Sequence, residues 1–502
     1  MSAGRNAREQ VASQSDDAAP NSTGPALLDK SIGAAQFFTI SFSTIVGVGW
    51  MIVLGDWLRQ AGPVGAIIAL LAAGAVMMLV GLCYAEISTA FPVSGGEMAY
   101  AYEVFGLRTS FVTGWFLALI WISATSFEAL SAGWIAGILF PALASRPIYV
   151  VRGTPVFLGT LLFGLAGTLL LTALNNRGMR ASARFQSAVT WTKIAISMLL
   201  AMAGMLWGKV RNLDPIIAAA HGASRWSGIL SVFVTAPFWY AGFNSVAQLI
   251  EEKKPTTSYG WVAFSLLASI GGAAIFYALL ILACGMAVPW PQIVGLDFPA
   301  AGAFKAALHS EFGAKFVLLS GLIGLLATWN ACFVAASRVL FALGRAHMID
   351  QRFGRVHCSH HTPTNAVTFV AAVSSVGIFL GRGVIAPIVS MDSTCFVFLY
   401  VGISVTMLRL RMGHDDASFP YRVPNGYLIA WLSLITTGFM LLESLYLPFA
   451  NGAWKFPAEW IVFIAWGLLG RLFWSLSKSS REDLTDFDRR RLILGSEVGE
   501  EF

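Results

Sequence analysis

The sequence predicts an all-α integral membrane protein of about twelve transmembrane helices. Three observations predict it. Of 502 residues, 56% are hydrophobic and 12% are Asp, Glu, Lys or Arg, about half the charge usual in soluble domains. Apolar stretches of roughly 20 residues, the length that crosses a hydrocarbon core, recur along the chain. Most of the 33 Lys and Arg fall on alternate connections, the positive-inside bias that orients a membrane protein. The apolar runs are too long and too numerous to be the cores of soluble domains.

In chain order, spans are expected near residues 34–58, 62–83, 110–140, 155–174, 185–207, 228–250, 261–288, 316–343, 365–381, 384–408, 427–449 and 457–477. An even number of spans, with the basic loops inside, puts both termini on the cytoplasmic face of a cell membrane. The first 24 residues are polar and unlike a signal peptide, and read as a disordered tail. There Asn21-Ser22-Thr23 matches a glycosylation sequon, on the side where it carries no meaning. Arg489-Arg490-Arg491 near the other end reads as a solvated anchor at lipid headgroups, not a nucleic-acid surface. Trp57, Trp226, Trp261 and Trp454, near span ends, read as interfacial anchors. Gly95-Gly96-Glu97 and the following residues predict a turn and an interfacial helix. Residues 290–312 predict a short packed helix acting as a lid. Cys83, Cys284, Cys332, Cys358 and Cys395 are odd in number and scattered, so no disulfide framework is expected.

Two spans are interrupted. Residues 36–59, QFFTISFSTIVGVGWMIVLGDWLR, are apolar at both ends but carry Gly47-Val48-Gly49 in the middle. Five spans later, the segment beginning at Trp226 is interrupted around Pro237-Phe238-Trp239-Tyr240-Ala241-Gly242. Broken backbone at membrane depth survives only where it is buried or lines a cavity. Paired interruptions in two halves of a chain point to a transporter's binding site. The N-terminus of a half-helix offers unpaired N–H groups and a positive dipole end, which bind a carboxylate without a charged side chain. Glycine lets a ligand approach that backbone closely. The Trp50 end of the first break is therefore expected to present N–H groups, and the carbonyls near Phe238 to Ala241 to receive an ammonium group. The plainer alternative is that Gly47 and Gly49 permit close helix packing; the matching second break favours the binding reading.

Charges inside spans are costly and face a cavity or a partner. Lys193 and Glu128 are the two deep ones. For Glu128, a group that pairs with a polar neighbour, binds an amine or relays a proton stands beside a protonated packing carboxyl. Asp392 and Glu443 are placed nearer span ends and read as interfacial. Asp56 reads as an outer-gate residue or a solvated one. His357, Cys358, His360 and His361 lack a second pair at zinc spacing and read as a polar loop. There is no phosphate loop, nucleophile elbow or cofactor fingerprint, so neither an ATP-driven pump nor a cofactor is expected.

These residues resemble the amino acid–polyamine–organocation permeases over roughly residues 30–415. Ile45-Val46-Gly47-Val48-Gly49-Trp50 is similar to that family's first-helix break, with Val48 and Trp50 where Ser and Ile are common. Phe238 to Asn244, followed by Glu251-Glu252-Lys253-Lys254-Pro255, resembles its sixth-helix break and exit. Tyr84-Ala85-Glu86 through Pro92 and Gly95-Gly96 resembles the loop after its second helix, and Ser337 to Arg345 the end of its eighth. The resemblance implies five helices repeated upside down by the next five, with helices 1 and 6 broken, plus two more. Residues 1–30 are then a tail, 31–207 and 208–410 the repeats, 411–478 the extra helices and 479–502 the second tail. It implies alternating access and an amino acid or amine substrate, with Val46, Gly47, Val48, Gly49, Trp50, Phe238, Trp239, Ala241 and Asn244 at the site. By position Phe238 is a lid, and the neutral Asn244 suits a neutral or zwitterionic ligand. It also implies that the Lys193 amine replaces a bound sodium ion, tying the first break to Thr328 or Asn330, with a structural cation and a proton carrier as competing roles.

The expected partners are therefore an amino acid or related amine, the bilayer and, on the carrier reading, protons. A polyamine permease is the nearest alternative, although only Glu128 is expected deep enough to meet a strongly cationic substrate. A multispan membrane enzyme would need reactive groups clustered at one depth, and a channel would need a charged ring or pore loop. Neither is visible.

Overall fold

With no water in hydrocarbon to satisfy the backbone, apolar stretches must close their hydrogen bonds internally, as helices do. A computed structural model describes residues 28–495, apart from 219–223, 297, 309, 414–418 and 451–457. The first 27 residues with their sequon, and Trp454, lie outside the described residues. In order come α1 Ala34–Ile45, α2 Gly49–Ala90, α3 Glu97–Phe105 and α4 Leu107–Leu139, then strands β1 Pro147–Val151 and β2 Thr154–Phe157. There follow α5 Leu158–Asn176, α6 Met179–Trp207, α7 Arg225–Tyr240, α8 Ser245–Leu249, α9 Tyr259–Ala287, α10 Pro299–Leu308 and α11 Glu311–Arg345. The chain continues through α12 Thr364–Phe379, α13 Ile385–Gly413, α14 Gly426–Ala450, α15 Ala458–Leu476, α16 Lys478–Glu482 and α17 Asp486–Leu494.

Helices occupy each of the expected segments. Among the described residues, 9 are long and apolar enough to cross a membrane, accompanied by the shorter apolar helices Ala34–Ile45, Thr364–Phe379 and Trp460–Leu476. The first and second spans run together as α2, which bends where Gly62 takes φ 72° ahead of Pro63. Proline removes a donor and clashes with the preceding turn. Here the bend is held by Ile216, whose carbonyl accepts from Val64 N–H at 2.9 Å. Ser224 and Ser258 accept from the first-turn N–H groups of Ser227 and Trp261, capping α7 and α9.

The apolar windows of α4 and α11 are each 78% buried inside the protein, against 22% for α14, so α4 and α11 form the centre and α14 the lipid-facing rim. Small residues let these helices approach, as membrane packing requires. A Cβ on Gly204 of α6 would lie 2.6 Å from the Ala283 carbonyl of α9. Helix α15 docks by a reciprocal pair. The indole N–H groups of Trp115 and Trp466 each donate to the other's carbonyl at 2.8 Å.

Two expectations need correction. Residues 147–157 form an antiparallel hairpin, turned by Arg152 and Gly153 at φ 49° and 79°. The fourth span therefore starts at Leu158 and not at 155; positive φ at both turn residues suits the strand twist. Trp57 is no interfacial anchor. Only 3% of it is exposed, and its ring packs edge-on against Trp239 at 5.5 Å and Tyr277 at 5.9 Å. Trp226 and Trp261 are exposed, as interfacial residues would be. The turn and helix after Gly95 and the helix within 290–312 appear as α3 and α10.

Candidate functional site

The first break opens where α1 ends at Ile45 and α2 starts at Gly49. Three side chains hold its carbonyls. The Lys193 amine donates to Val46 O, and Thr328 Oγ1 donates to Ser43 O at 2.6 Å. The Tyr277 hydroxyl lies 3.0 Å from Ile45 O and 2.8 Å from Trp239 O, spanning both breaks. No side chain caps α2, so the N–H groups of Gly49 and Trp50 belong to the first turn that a helix leaves without internal acceptors. Glycine relieves crowding here, at Gly49 above all. A Cβ on Gly47 would sit 3.0 Å from Glu128 Oε1, and one on Gly49 2.5 Å from Trp239 Cζ3.

The second break lies between Tyr240 and Ser245, later than the proline that suggested it; Pro237 is inside α7. Gly242 takes φ 122°, and a Cβ there would come within 2.7 Å of Thr44. That conformation and that approach need glycine. The two breaks therefore touch.

Between them lies a cavity; the space inside it and its open mouth together is about 550 Å³. Of the residues expected from sequence, Gly47, Gly49 and Trp50 line it from the first break, and Phe238, Trp239 and Ala241 from the second. Glu128 on α4 and Thr328 on α11 also face it. Val46, Val48, Lys193, Asn244 and Asn330 are not among its lining residues. Lys193 lies behind the break and is buried; it interacts electrostatically with Glu128. Asn330 bonds to Ser182 and Gln186 of α6 at 3.0 Å each, and not to Lys193. Asn244 turns to the bundle end, where its amide donates to Glu97 Oε1 at 2.8 Å.

Sequence reading misses Trp121, Phe127, Tyr277, Asp392 and Phe396, which also line the cavity. Aromatics in apolar spans carry no signal that separates lining from packing. Asp392 does carry one. The sequence reading takes it as interfacial, but the expected span from 384 and the observed α13 from Ile385 both put Asp392 about two turns inside the helix, roughly 10 Å along its axis. It is fully buried, and its Oδ1 accepts from Ser123 Oγ at 2.6 Å. Glu128 is thus not the only deep carboxyl. Asp56 is exposed beside Arg59, and the rings of His357 and His360 stack at 5.2 Å in an exposed loop.

Below the second break the bundle is shut by buried polar ties. Arg338 of α11 grips Glu252 through two bonds, at 2.7 and 3.3 Å, with both side chains inaccessible. Arg345 holds Glu251 at 2.6 Å, and Arg411 of α13 holds Glu86 of α2 at 2.7 Å. Glu97 of α3 accepts from Tyr84 at 2.8 Å, from Asn244 and from Gln248. Burial pushes its carboxyl above the usual range, against the pull of those donors.

A model of the family described as "Amino acid permease" matches residues 32–469. The chain is 25% identical over 458 residues to the methylthioribose transporter of Bacillus subtilis, covering 89% of this chain and 93% of that one. It is 24% identical over 459 residues to the branched-chain amino acid permease BcaP of the same organism, with the same coverage. It is 31% identical over 357 residues to the chloroplastic cationic amino acid transporter 9 of Arabidopsis thaliana, covering 68% of this chain and 60% of that one.

Proposed function

Because the chain belongs to the amino acid permease family, a family of membrane transporters and not enzymes, we propose that it carries an amino acid across a cell membrane by secondary active, alternating access, with both termini cytoplasmic. The observation that carries this reading is the meeting of two helix breaks around one cavity, with the uncapped Gly49 and Trp50 turn on its wall. An amino acid carries an anion and a cation on one carbon. The free N–H groups of the α2 start suit its carboxylate, and the carbonyls at the two breaks, with Glu128, suit its ammonium. Phe238, edge-on to Phe127 at 6.3 Å, is the cover.

Residues 31–207 and 208–410 are proposed as the inverted repeats, each opening with its broken helix. The buried ion pairs below the second break then form the closed gate of this conformation, and α10 and its approach form the opposite lid. Lys193 serves as a built-in cation. Its amine and the Thr328 hydroxyl fix the carbonyl end of the first break to α6 and α11, the task a bound sodium ion would otherwise perform. The electrostatic interaction between Lys193 and Glu128 supports a second role, in which the two pass a proton during the cycle.

Uptake of radiolabelled amino acids into proteoliposomes, with and without sodium and pH gradients, tests this function. Saturable uptake of at least one amino acid without sodium is expected. No uptake of any amino acid, or uptake that depends on sodium, would remove the reading or its built-in cation respectively.

A further inference from the structure

Two acids and no base line the cavity. Among its described lining residues are Glu128 and Asp392, and no Lys or Arg. Each carboxyl has one oxygen, Glu128 Oε2 and Asp392 Oδ2, buried without a hydrogen-bond partner. The two are not equivalent. Glu128 has the Lys193 charge acting on it from behind the first break. Asp392 has Ser123 as its hydrogen-bond partner among the described residues. Counted as ionised, Glu128 and Lys193 offset one another, and Asp392 leaves one negative charge in a low-dielectric chamber. A buried charge is retained only when it is paired or neutralised.

A zwitterionic substrate brings no net charge and leaves that imbalance in place. A substrate with a further cationic group removes it. We infer that Asp392 is the side-chain subsite of the cavity, selecting amino acids whose side chain ends in an ammonium or guanidinium group. The inference rests on the proposed amino acid transport and names its substrate class. Ser123 is the positioning residue: its hydroxyl holds Oδ1 and leaves Oδ2 to the ligand. The surroundings suit a cation on an apolar stem. Phe396 follows Asp392 by one helical turn and meets Trp121 edge-on at 5.8 Å; both rings line the cavity and can receive a cation on their faces. The expectation of a neutral ligand rests on Asn244, whose amide is spent on Glu97 instead.

The test is binding of L-lysine and L-norleucine to purified full-length protein in lipid nanodiscs, the second ligand lacking only the terminal ammonium group. Lysine is expected to bind at least tenfold more tightly. Asp392→Asn should bring the lysine-to-norleucine ratio close to one, and Asp392→Glu, which restores the charge, should recover part of the preference. Both variants must elute as single species from size exclusion. A preference for norleucine in the unaltered protein overturns the inference, as does a ratio untouched by Asp392→Asn or lost equally in the Asn and Glu variants. Norleucine binding without a lysine preference removes this subsite alone, whereas failure of every amino acid to bind removes the transport reading with it.

Discussion

The two helix breaks touch at Thr44 and Gly242, yet they are held in opposite ways. The first is pinned by its carbonyls: Ser43 and Val46 accept from Thr328 and Lys193 of other helices, and Ile45 shares the Tyr277 hydroxyl with Trp239 O. Gly49 and Trp50, at its uncapped α2 start, line the cavity. The second is held mainly from below. Asn244 and Gln248 reach Glu97, and Glu252 is locked to Arg338. Its upper side presents rings, Phe238 and Trp239, at 4.8 Å from each other. The difference separates two tasks. A break fixed at its carbonyls is a rigid receptor for a charged group, while a break tied to a closing gate and topped with aromatics can report occupancy to that gate.

The largest expected effect strikes the rigid break. Gly49→Leu places a branched side chain where even a Cβ would lie 2.5 Å from the Trp239 ring, at the backbone a carboxylate must approach. Substrate binding by the purified variant should fall below detection, a loss of at least about hundredfold, while the protein still inserts and elutes normally. Unchanged affinity would show that the α2 start is not the receptor.

Next comes the pin itself. Lys193→Ala removes a charged donor, and such bonds contribute about 1.5–3 kcal/mol, so uptake should drop roughly ten- to hundredfold at normal expression. The pH response divides its two roles. A purely structural amine leaves uptake nearly constant around neutral pH, whereas a proton-passing amine makes uptake respond to an acidic exterior, a drive lost in the variant. Sodium-stimulated uptake by the unaltered protein would rule out both.

The aromatic side should tolerate more. Phe238 is half-buried and meets Phe127 and Trp239 edge-on. Phe238→Ala should cost about 1.5 kcal/mol of apolar burial, roughly a tenfold rise in the substrate dissociation constant. Equal affinity, measured by the same binding assay, would make Phe238 a packing residue and leave the cover to Trp239.

How much of this contrast the sequence carries follows from the range of the interactions. Breaks are local, since Gly47, Gly49 and Gly242 announce themselves, and apolar run length locates the helices. Lys193 stands out because a lone charge inside a span is costly unless it meets a cavity or a partner. What holds each break is long-range and leaves little local trace. Tyr277 in α9 reads as one more aromatic, and Asn244 reads as a ligand group until α3 brings Glu97 against it. The gate pairs Glu252–Arg338 and Glu86–Arg411 join residues 86 and 325 positions apart. Asp392 is visible but misplaced. The expected start of its span, 384, is within a residue of the observed helix start at Ile385, yet a carboxyl about two turns in reads as interfacial. What buries it there is contact with other helices, such as Ser123 on α4.

The smallest effect tests whether the two breaks act as one unit. The Tyr277 hydroxyl is placed between Ile45 O and Trp239 O, and its single proton serves one carbonyl at a time. Tyr277→Phe deletes that tether and little else, because the ring's edge-on contacts with Trp57 and Tyr240, at 5.9 and 5.8 Å, survive the change. A neutral hydrogen bond contributes about 1 kcal/mol net, so the dissociation constant should rise about fivefold, with the melting temperature shifting by only a few degrees. If affinity stays within about twofold of the unaltered protein, each break keeps its geometry through its own ties: Lys193 and Thr328 suffice for the first, and the Glu97 and Arg338 contacts for the second. The rigid receptor and the gate-linked cover would then be independent, and any coupling between them would have to pass through the substrate.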